Sequence, residues 1–223
     1  MQIEVVESVT KTIGSLALAY PYLRRLGVAD IIDALTTKGK ERHVSTGQVI
    51  EILVLNRLSL RPTPISKIDA WAQTQAVEEV YSLAANALKV ERRFRMVKQP
   101  PIQVRPVWLH QPQRIESLVF VVMVALFVFA LIEREARRVV KESGQVFTGL
   151  RPEGRDKLPV TAGRLFEAFA PLSLVKQRMR VAGEVIDVLT PATLSPIQAQ
   201  VLDRLGLMKP VSYLQPTITP HPT

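Results

Sequence analysis

The chain has 223 residues, 47 % hydrophobic and 22 % charged, which is enough for one or two globular domains with a buried core. A formal net charge of +9 favours a polyanionic partner, either nucleic acid or an anionic membrane surface. The absence of cysteine excludes a disulfide framework, a zinc site with Cys ligands and a thiol nucleophile. Charged residues among the first twenty argue against a secretory signal, so we expect a cytoplasmic protein.

The first 88 residues are predicted to form a helical module that opens with a short strand over residues 1–12. Pro21 is expected in the first turn of a helix that ends at Gly27. A second helix is predicted over residues 28–35, with three apolar side chains facing the core, Ile31, Ile32 and Leu35.

Two further helix starts are marked by their capping residues. Ser45 and Gln48 form a capping box, which predicts a helix whose apolar residues keep helical spacing as far as Leu58. Thr63 and Pro64 are predicted to start another helix, with Ile65, Ile68, Trp71 and Ala72 on its apolar side. A last helical stretch is predicted over residues 71–88.

Basic residues around these helices favour DNA binding. A helix-turn-helix unit that carries them could dock on DNA. The candidate DNA contacts in this module are Lys38, Lys40, Arg42, Arg57, Arg61 and Lys67. The alternative is an ordinary helical bundle whose Lys and Arg side chains are merely solvated.

The basic segment 90–98 contains a carboxylate among cations. If it is helical, Glu91 and Lys98 lie on the same face about 10 Å apart, and Arg92 and Arg95 add positive charge beside them. This pattern suits a metal ligand next to a phosphate-binding surface. The alternative is a solvated amphipathic helix in which Glu91 pairs with Arg95.

Residues 90–132 resemble the C-terminal catalytic end of DDE-type insertion-sequence transposases of the "IS four" group, whose fold is ribonuclease-H-like. Glu91 and Lys98 match the Glu-x6-Lys half of that family's signature, and three connector residues match as well, Pro100, Arg105 and Pro106. The Tyr and Arg of the signature would fall at Ala84 and Ala87 and are absent. Residues 26–33, 44–48 and 54–58 resemble the family's N-terminal region, and residues 149–152 and 205–207 its C-terminal end.

The resemblance implies DNA transposition by a nucleoid-associated protein of bacterial type. Its DNA partner would be the element's terminal inverted repeats, and the cofactor of the intact family is Mg²⁺ or Mn²⁺. Glu91 would be the third catalytic acid and Lys98 a phosphate contact, with further DNA contacts at Arg92, Arg95 and Arg105. The family's two aspartates precede that Glu, but Asp30, Asp33 and Asp69 lie in helical patterns here. We therefore expect an internally deleted copy, joined near residue 89, that holds no metal alone and neither cleaves nor transfers DNA.

Residues 117–132 form an apolar segment without a charged residue. Sixteen residues fall below the 18 or more of a membrane span, so a buried core helix is preferred to a membrane helix or a buried strand. The pattern continues as an amphipathic helix that ends near Gly144. If the family's sheet is missing, this helix is expected to expose an apolar patch, which could cause aggregation or dimerisation.

The C-terminal segment is predicted to contain two helices and a short hairpin. Thr161 caps a helix through Phe169, two strands surround Gly183, and Ser195 opens a helix that ends at Gly206. Residues 210–223 are expected to be a frayed tail.

Together these patterns predict a mainly α protein with a few short strands (α+β). Its parts would be a helical DNA-binding module over 1–88, a remnant of a ribonuclease-H-like catalytic domain over 89–147, and a C-terminal segment with a flexible tail over 148–223. The preferred hypothesis is a transposase-family protein limited to DNA binding, or to interference with an intact transposase or a second copy of itself. The alternatives are a membrane-associated basic protein anchored by residues 117–132 and a pseudogene product without a selected role.

Overall fold

A computed structural model describes residues 3–36, 44–83, 112–151, 158–208 and 214–220 of the chain. In these ranges helices accompany an antiparallel sheet, which confirms the α+β prediction. The helices are α1 (Leu16–Leu26), α2 (Val28–Leu35), α3 (Thr46–Leu58), α4 (Ile68–Thr74), α5 (Val77–Val80), α6 (Pro112–Ser143), α7 (Ala162–Phe169) and α8 (Pro196–Arg204). The strands are β1 (Ile3–Thr12), β2 (Ser173–Val181), β3 (Glu184–Pro191) and β4 (Thr217–Pro220).

The four strands form one sheet in the order β1-β2-β3-β4, with every pair antiparallel. The hairpin predicted around Gly183 is confirmed, and Gly183 has a φ of +91°, which suits glycine in a tight turn. The first strand pairs with β2 from Ile3 opposite Val181 to Thr12 opposite Ser173. The frayed-tail prediction is wrong for 217–220, because these residues hydrogen-bond along β3 as an edge strand.

Helix α1 begins at Leu16, so the prediction that Pro21 lies in its first turn is wrong, since Pro21 lies inside the helix. Leu16 and Leu18 are fully buried, and their burial offsets the backbone hydrogen bond that the proline cannot donate. The predicted end at Gly27 is confirmed. Gly27 is left-handed, with a φ of +63°, and its N–H donates to the carbonyl of Arg24.

Helix α2 has the predicted bounds but the wrong predicted orientation. Ile31 is 57 % exposed and Leu35 is 81 % exposed, whereas Ala29 is the residue buried against the core. Ala29 lies against Gly47 at the start of α3, so closely that a Cβ on Gly47 would lie 2.2 Å from the carbonyl oxygen of Ala29. This backbone contact sets the buried face of α2 in place of its larger side chains.

Helix α3 lies at the centre of the helical region and packs against α1, α2, α4 and α6. Its predicted capping box is confirmed: Gln48 N donates to Ser45 Oγ at 3.1 Å, and Ser45 N donates to Gln48 Oε1 at 2.8 Å. No residue of α3 is fully exposed.

The stretch predicted as one helix over residues 71–88 is interrupted in its described part. Helix α4 ends at Thr74, and the N–H of Ala76 donates to the carbonyl of Thr12 at 2.8 Å. That hydrogen bond ties the chain to the end of β1, and the short α5 follows. Residues 84–88 lie outside the described residues.

Helix α6 is a continuous helix of 32 residues with two different apolar faces. One face packs into the core through Val121, Ala125, Val128, Ile132 and Ala136. The other face is exposed, so the buried-helix prediction holds for one side only, and the expected apolar patch is confirmed. Among the described residues, α6 alone is long and apolar enough to cross a membrane, a test that core helices of soluble proteins also pass.

Parts of the chain before and after the predicted join share one hydrophobic core. Helix α6 packs on α1 and α3, while β1 pairs with β2. The caps predicted for α7 at Thr161 and for α8 at Ser195 are confirmed, as is the end of α6 before Gly144. Glu133 of α6 also accepts a hydrogen bond of 3.0 Å from Ala162 N at the start of α7.

Candidate nucleic-acid interface

A groove of about 670 Å³ lies between the corner after β1, the loop after α3 and the outer side of α4. Two cations and several hydroxyl groups line it. None of the described residues that line it is acidic. Its polar lining residues are Thr12, Ser15, Ser59, Arg61, Thr63, Lys67, Thr74 and Gln75.

The loop after α3 is held by side chains from the last turn of that helix. Asn56 Nδ2 donates to Thr63 Oγ1 at 3.0 Å, and the Arg57 guanidinium donates to the Thr63 carbonyl and to Asn56 Oδ1. Desolvation by burial lowers the pKa of the Arg57 guanidinium below its ordinary value. Pro62 and Pro64 restrict the backbone on either side of Thr63. The loop therefore presents Arg61 from a fixed support.

The opposite wall joins the end of β1 to α4. The N–H groups of Ile13 and Gly14 both donate to the carbonyl of Leu172, at 2.9 and 3.0 Å. Gly14 has a φ of +52°, which turns the chain from the strand toward Ser15 and α1. On α4, Thr74 Oγ1 donates to the carbonyl of Trp71, whose side chain is almost fully buried beneath the groove.

Neither of the two groove cations has an ion-pair partner, in contrast to several other arginines in the described parts of the chain. Arg61 and Lys67 are exposed, and neither forms an ion pair with another described residue. By contrast, Arg164 pairs with Glu167 at 2.8 Å and Arg180 pairs with Glu4 at 3.0 Å. Exposed cations without an ion-pair partner match the requirements of phosphate oxygens along a nucleic-acid backbone.

The structure brings together part of the predicted DNA-binding set. Arg61 and Lys67 line the groove, and Arg57 supports its loop. The other candidates lie outside the described residues: Lys38, Lys40, Arg42, Glu91, Arg92, Arg95, Lys98 and Arg105. The exposed cations Arg61 and Lys67 lie beyond the C-terminal end of α3, and docking of a helix-turn-helix unit on DNA stays a prediction.

Sequence reasoning missed the groove residues that come from elsewhere in the chain. Thr12 and Ser15 reach the groove because β1 bridges to Gln75, a contact between residues far apart in sequence. No local motif marks either residue. Thr74 was predicted to lie in a helix, but apolar spacing alone could not show that it lines the same groove as Arg61 and Lys67.

Acidic residues before the basic segment do not gather into a metal site in the described parts of the chain. Asp33 Oδ1 accepts a hydrogen bond of 2.7 Å from Gly47 N, which fastens α2 to α3. Asp30 and Asp69 lie in the first turns of α2 and α4. Across the described ranges no three His, Asp or Glu side chains are grouped as metal ligands would be.

One buried carboxylate stands out in the core. Glu51 is fully buried in α3, where its oxygens accept from Ala29 N at 3.0 Å and from the Tyr81 hydroxyl at 2.9 Å. Burial is the largest of several effects on the Glu51 carboxyl, and it raises the pKa of that group above its ordinary value of 4.5. It also raises the pKa of Tyr81 well above 10.0, so Tyr81 remains a neutral donor. Because solvent does not reach this carboxylate, its role is structural: it joins α3 to Ala29 of α2 and to Tyr81 after α5.

Comparison with known proteins gives one match. Residues 8–92 match the sequence model of a family described as a domain of unknown function, DUF4277. No curated protein matches the chain, and no solved structure matches it either. The matched part contains the second half of β1, helices α1–α5 and every lining residue of the groove except Ala170. This part of the chain is therefore similar to that domain.

Proposed function

We propose that the chain is a DNA-binding product of an insertion-sequence transposase gene that lacks a complete catalytic centre. The observation that carries the proposal is the groove with two cations, Arg61 and Lys67, that form no ion pair with a described residue, and with no acidic residue among its described lining residues. Such a surface suits contact with the phosphate backbone rather than reading of base edges. The net charge of +9 also favours association with DNA, through electrostatic attraction that acts over a longer range.

The transposase assignment is supported by the resemblance of residues 90–132 to the catalytic end of that family. The match to the domain of unknown function ends at residue 92, close to the proposed join near residue 89. A join at this position agrees with a deletion that kept an N-terminal unit and removed the sheet bearing the two catalytic aspartates. On this proposal residues 89–147 are the remnant of a ribonuclease-H-like domain.

The proposal includes no cleavage or strand transfer by the chain alone. Two-metal phosphoryl chemistry requires several carboxylates around ions about 4 Å apart. The described residues do not provide that set of carboxylates, so the proposed function contains no step that depends on Mg²⁺ or Mn²⁺. A chain that still binds the element's ends would interfere with an intact transposase by occupying them.

Fluorescence anisotropy with a labelled duplex tests the proposal. Sequencing of the DNA that flanks the gene supplies the candidate inverted repeat for this duplex, and a scrambled duplex of equal length serves as the control. We expect binding to both at low salt, tighter binding to the repeat, and a loss of affinity as salt rises. An absence of binding at low salt would refute DNA binding, while equal affinity for the two duplexes would refute recognition of the ends. Strand cleavage in the presence of Mn²⁺ would refute the catalytic part.

A further inference from the structure

The exposed face of α6 carries an apolar stripe with one acid at one end and one base at the other. The stripe residues follow each other at alternating spacings of four and three, as in the seam of a coiled coil. They are Glu116, Phe120, Met123, Phe127, Ala130 and Arg134. Because about five helical turns separate Glu116 from Arg134, both project from the same side of α6, roughly 27 Å apart along its axis.

The stripe is wide enough to form an interface. Met123 is 64 % exposed and Phe127 is 58 % exposed. Phe120 of the stripe is exposed as well, and so are four neighbouring apolar residues of the same helix: Ile115, Val119, Val122 and Leu126. At roughly 200 Å² for a fully exposed side chain of this size, the patch offers about 700 Å² of apolar surface. A standard interface buries roughly 800 Å² per partner, and a monomer rarely leaves a patch of this size open.

The charges at the ends of the stripe are both available. Glu116 and Arg134 are exposed, and neither pairs with another residue in the described parts of the chain. In an antiparallel pair of identical helices, each acid would face the base of the other copy. In a parallel pair, like charges would meet at both ends of the stripe and repel one another.

A second copy accounts for this face better than a bilayer does. The opposite side of α6 is held in the core by Val128 and Ile132, which are fully buried. The charge-free part over 117–132 is about 24 Å long, compared with about 30 Å of hydrocarbon in a bilayer. Crossing a membrane would require α6 to leave the core that it shares with α1 and α3.

From these observations we infer that the chain forms a symmetric dimer through antiparallel pairing of α6 with α6. The two-fold axis crosses the exposed face of α6 midway between Met123 and Phe127, at the level of residue 125 along the helix. Glu116 then lies opposite Arg134 of the partner subunit at each end of the interface, as a two-fold contact requires. No described residue of α6 lines the groove, so dimerisation through this face does not depend on DNA binding.

Sedimentation equilibrium of the full chain and charge-reversal variants tests the dimer. We expect Glu116→Arg and Arg134→Glu each to raise the dimer Kd about tenfold. An equal mixture of the two variants should restore a Kd close to that of the wild type, because opposite charges then meet at both ends. Met123→Glu should weaken the dimer by on the order of a hundredfold. Glu184→Arg, at the exposed start of β3, is the charge control and should leave the Kd unchanged.

Circular dichroism and thermal unfolding of every variant establish that the chain remains folded. A wild-type chain that stays monomeric at all concentrations would overturn the inference. So would a mixture no tighter than its single variants, or open-ended aggregation instead of a dimer. Flotation of a monomeric wild type with vesicles of phosphatidylcholine and phosphatidylglycerol would assign the face to a membrane and equally overturn the dimer.

Discussion

The hydroxyl of Tyr81 donates a hydrogen bond of 2.9 Å to Glu51 Oε2, which lies 30 residues earlier in the chain. The other carboxylate oxygen of Glu51 accepts from Ala29 N at 3.0 Å. One buried side chain of α3 thus holds the start of α2 and the residue that follows α5. The ring of Tyr20 packs edge-on against Tyr81 with 4.7 Å between the ring centroids and closes the cluster on the side of α1.

Replacing Glu51 by Gln should change how stability depends on pH. Burial raises the pKa of Glu51 above 4.5, so the folded protein retains a proton that the unfolded chain releases as the pH rises. Stability due to this group is therefore complete below pH 4.5 and is lost as the pH rises through the folded-state pKa. Urea unfolding over a pH series should show that the free energy of unfolding of Glu51→Gln rises relative to that of the wild type across that window. Parallel stability curves would contradict this account.

Glu51→Ala is the companion variant, because it removes the acceptor as well as the charge. Two buried donors, Ala29 N and the Tyr81 hydroxyl, would lose their partner, and a cavity would remain. We expect a loss of about 2–4 kcal/mol in the free energy of unfolding. A loss below about 1 kcal/mol would mean that water or a rearranged side chain takes over the acceptor role.

Gly47→Ala should be among the most destabilising single-atom changes in the chain. A Cβ at this position would lie 2.2 Å from the backbone oxygen of Ala29 and 2.5 Å from its Cα, so α2 would have to move away from α3. We expect a loss of at least about 2 kcal/mol. The matched control is Gly163→Ala in α7, where a Cβ meets nothing within 4 Å. That change should stabilise the protein by about 0.5–1 kcal/mol in chemical denaturation.

Lys11→Met should separate β1 from α5. The Lys11 ammonium lies 2.7 Å from Glu79 Oε1 and 3.2 Å from Glu78 Oε2, and the lysine is almost fully buried. Methionine keeps the apolar stem but leaves two carboxylates without their cation, which should cost about 3 kcal/mol. Lys176→Met on β2, a half-buried lysine outside any ion pair in the described residues, should change stability by less than about 0.5 kcal/mol. Similar losses in the two variants would show that the ion pair contributes nothing special.

Local signals in the sequence were sufficient for most helix ends. Gly27, the boxes at Ser45 and Ser195, and the cap at Thr161 each act over three or four residues, so their effect can be read without knowing the fold. The hairpin at Gly183 belongs to the same class, because both strands adjoin the turn.

Features set by distant contacts could not be predicted in this way. The pairing of β1 with β2 joins opposite ends of the chain, and β4 exists only because β3 offers it an edge. Ile31 and Leu35 were expected inside because they are large and apolar, yet the close contact at Gly47 turned α2 the other way. For the groove, composition indicated the cations Arg61 and Lys67, but the wall that faces them comes from β1.

The most direct test of the account is the salt dependence of DNA binding by two charge-matched double variants. Arg61→Ala with Lys67→Ala removes the unpaired groove cations, whereas Arg164→Ala with Arg180→Ala removes two cations that are ion-paired elsewhere. Both lower the net charge by two, so they differ only in where the charge is lost. The account predicts that the slope of log K against log salt falls by about two in the groove variant and by less than about 0.5 in the control. Equal slopes in the two variants would contradict the groove as the site of DNA contact.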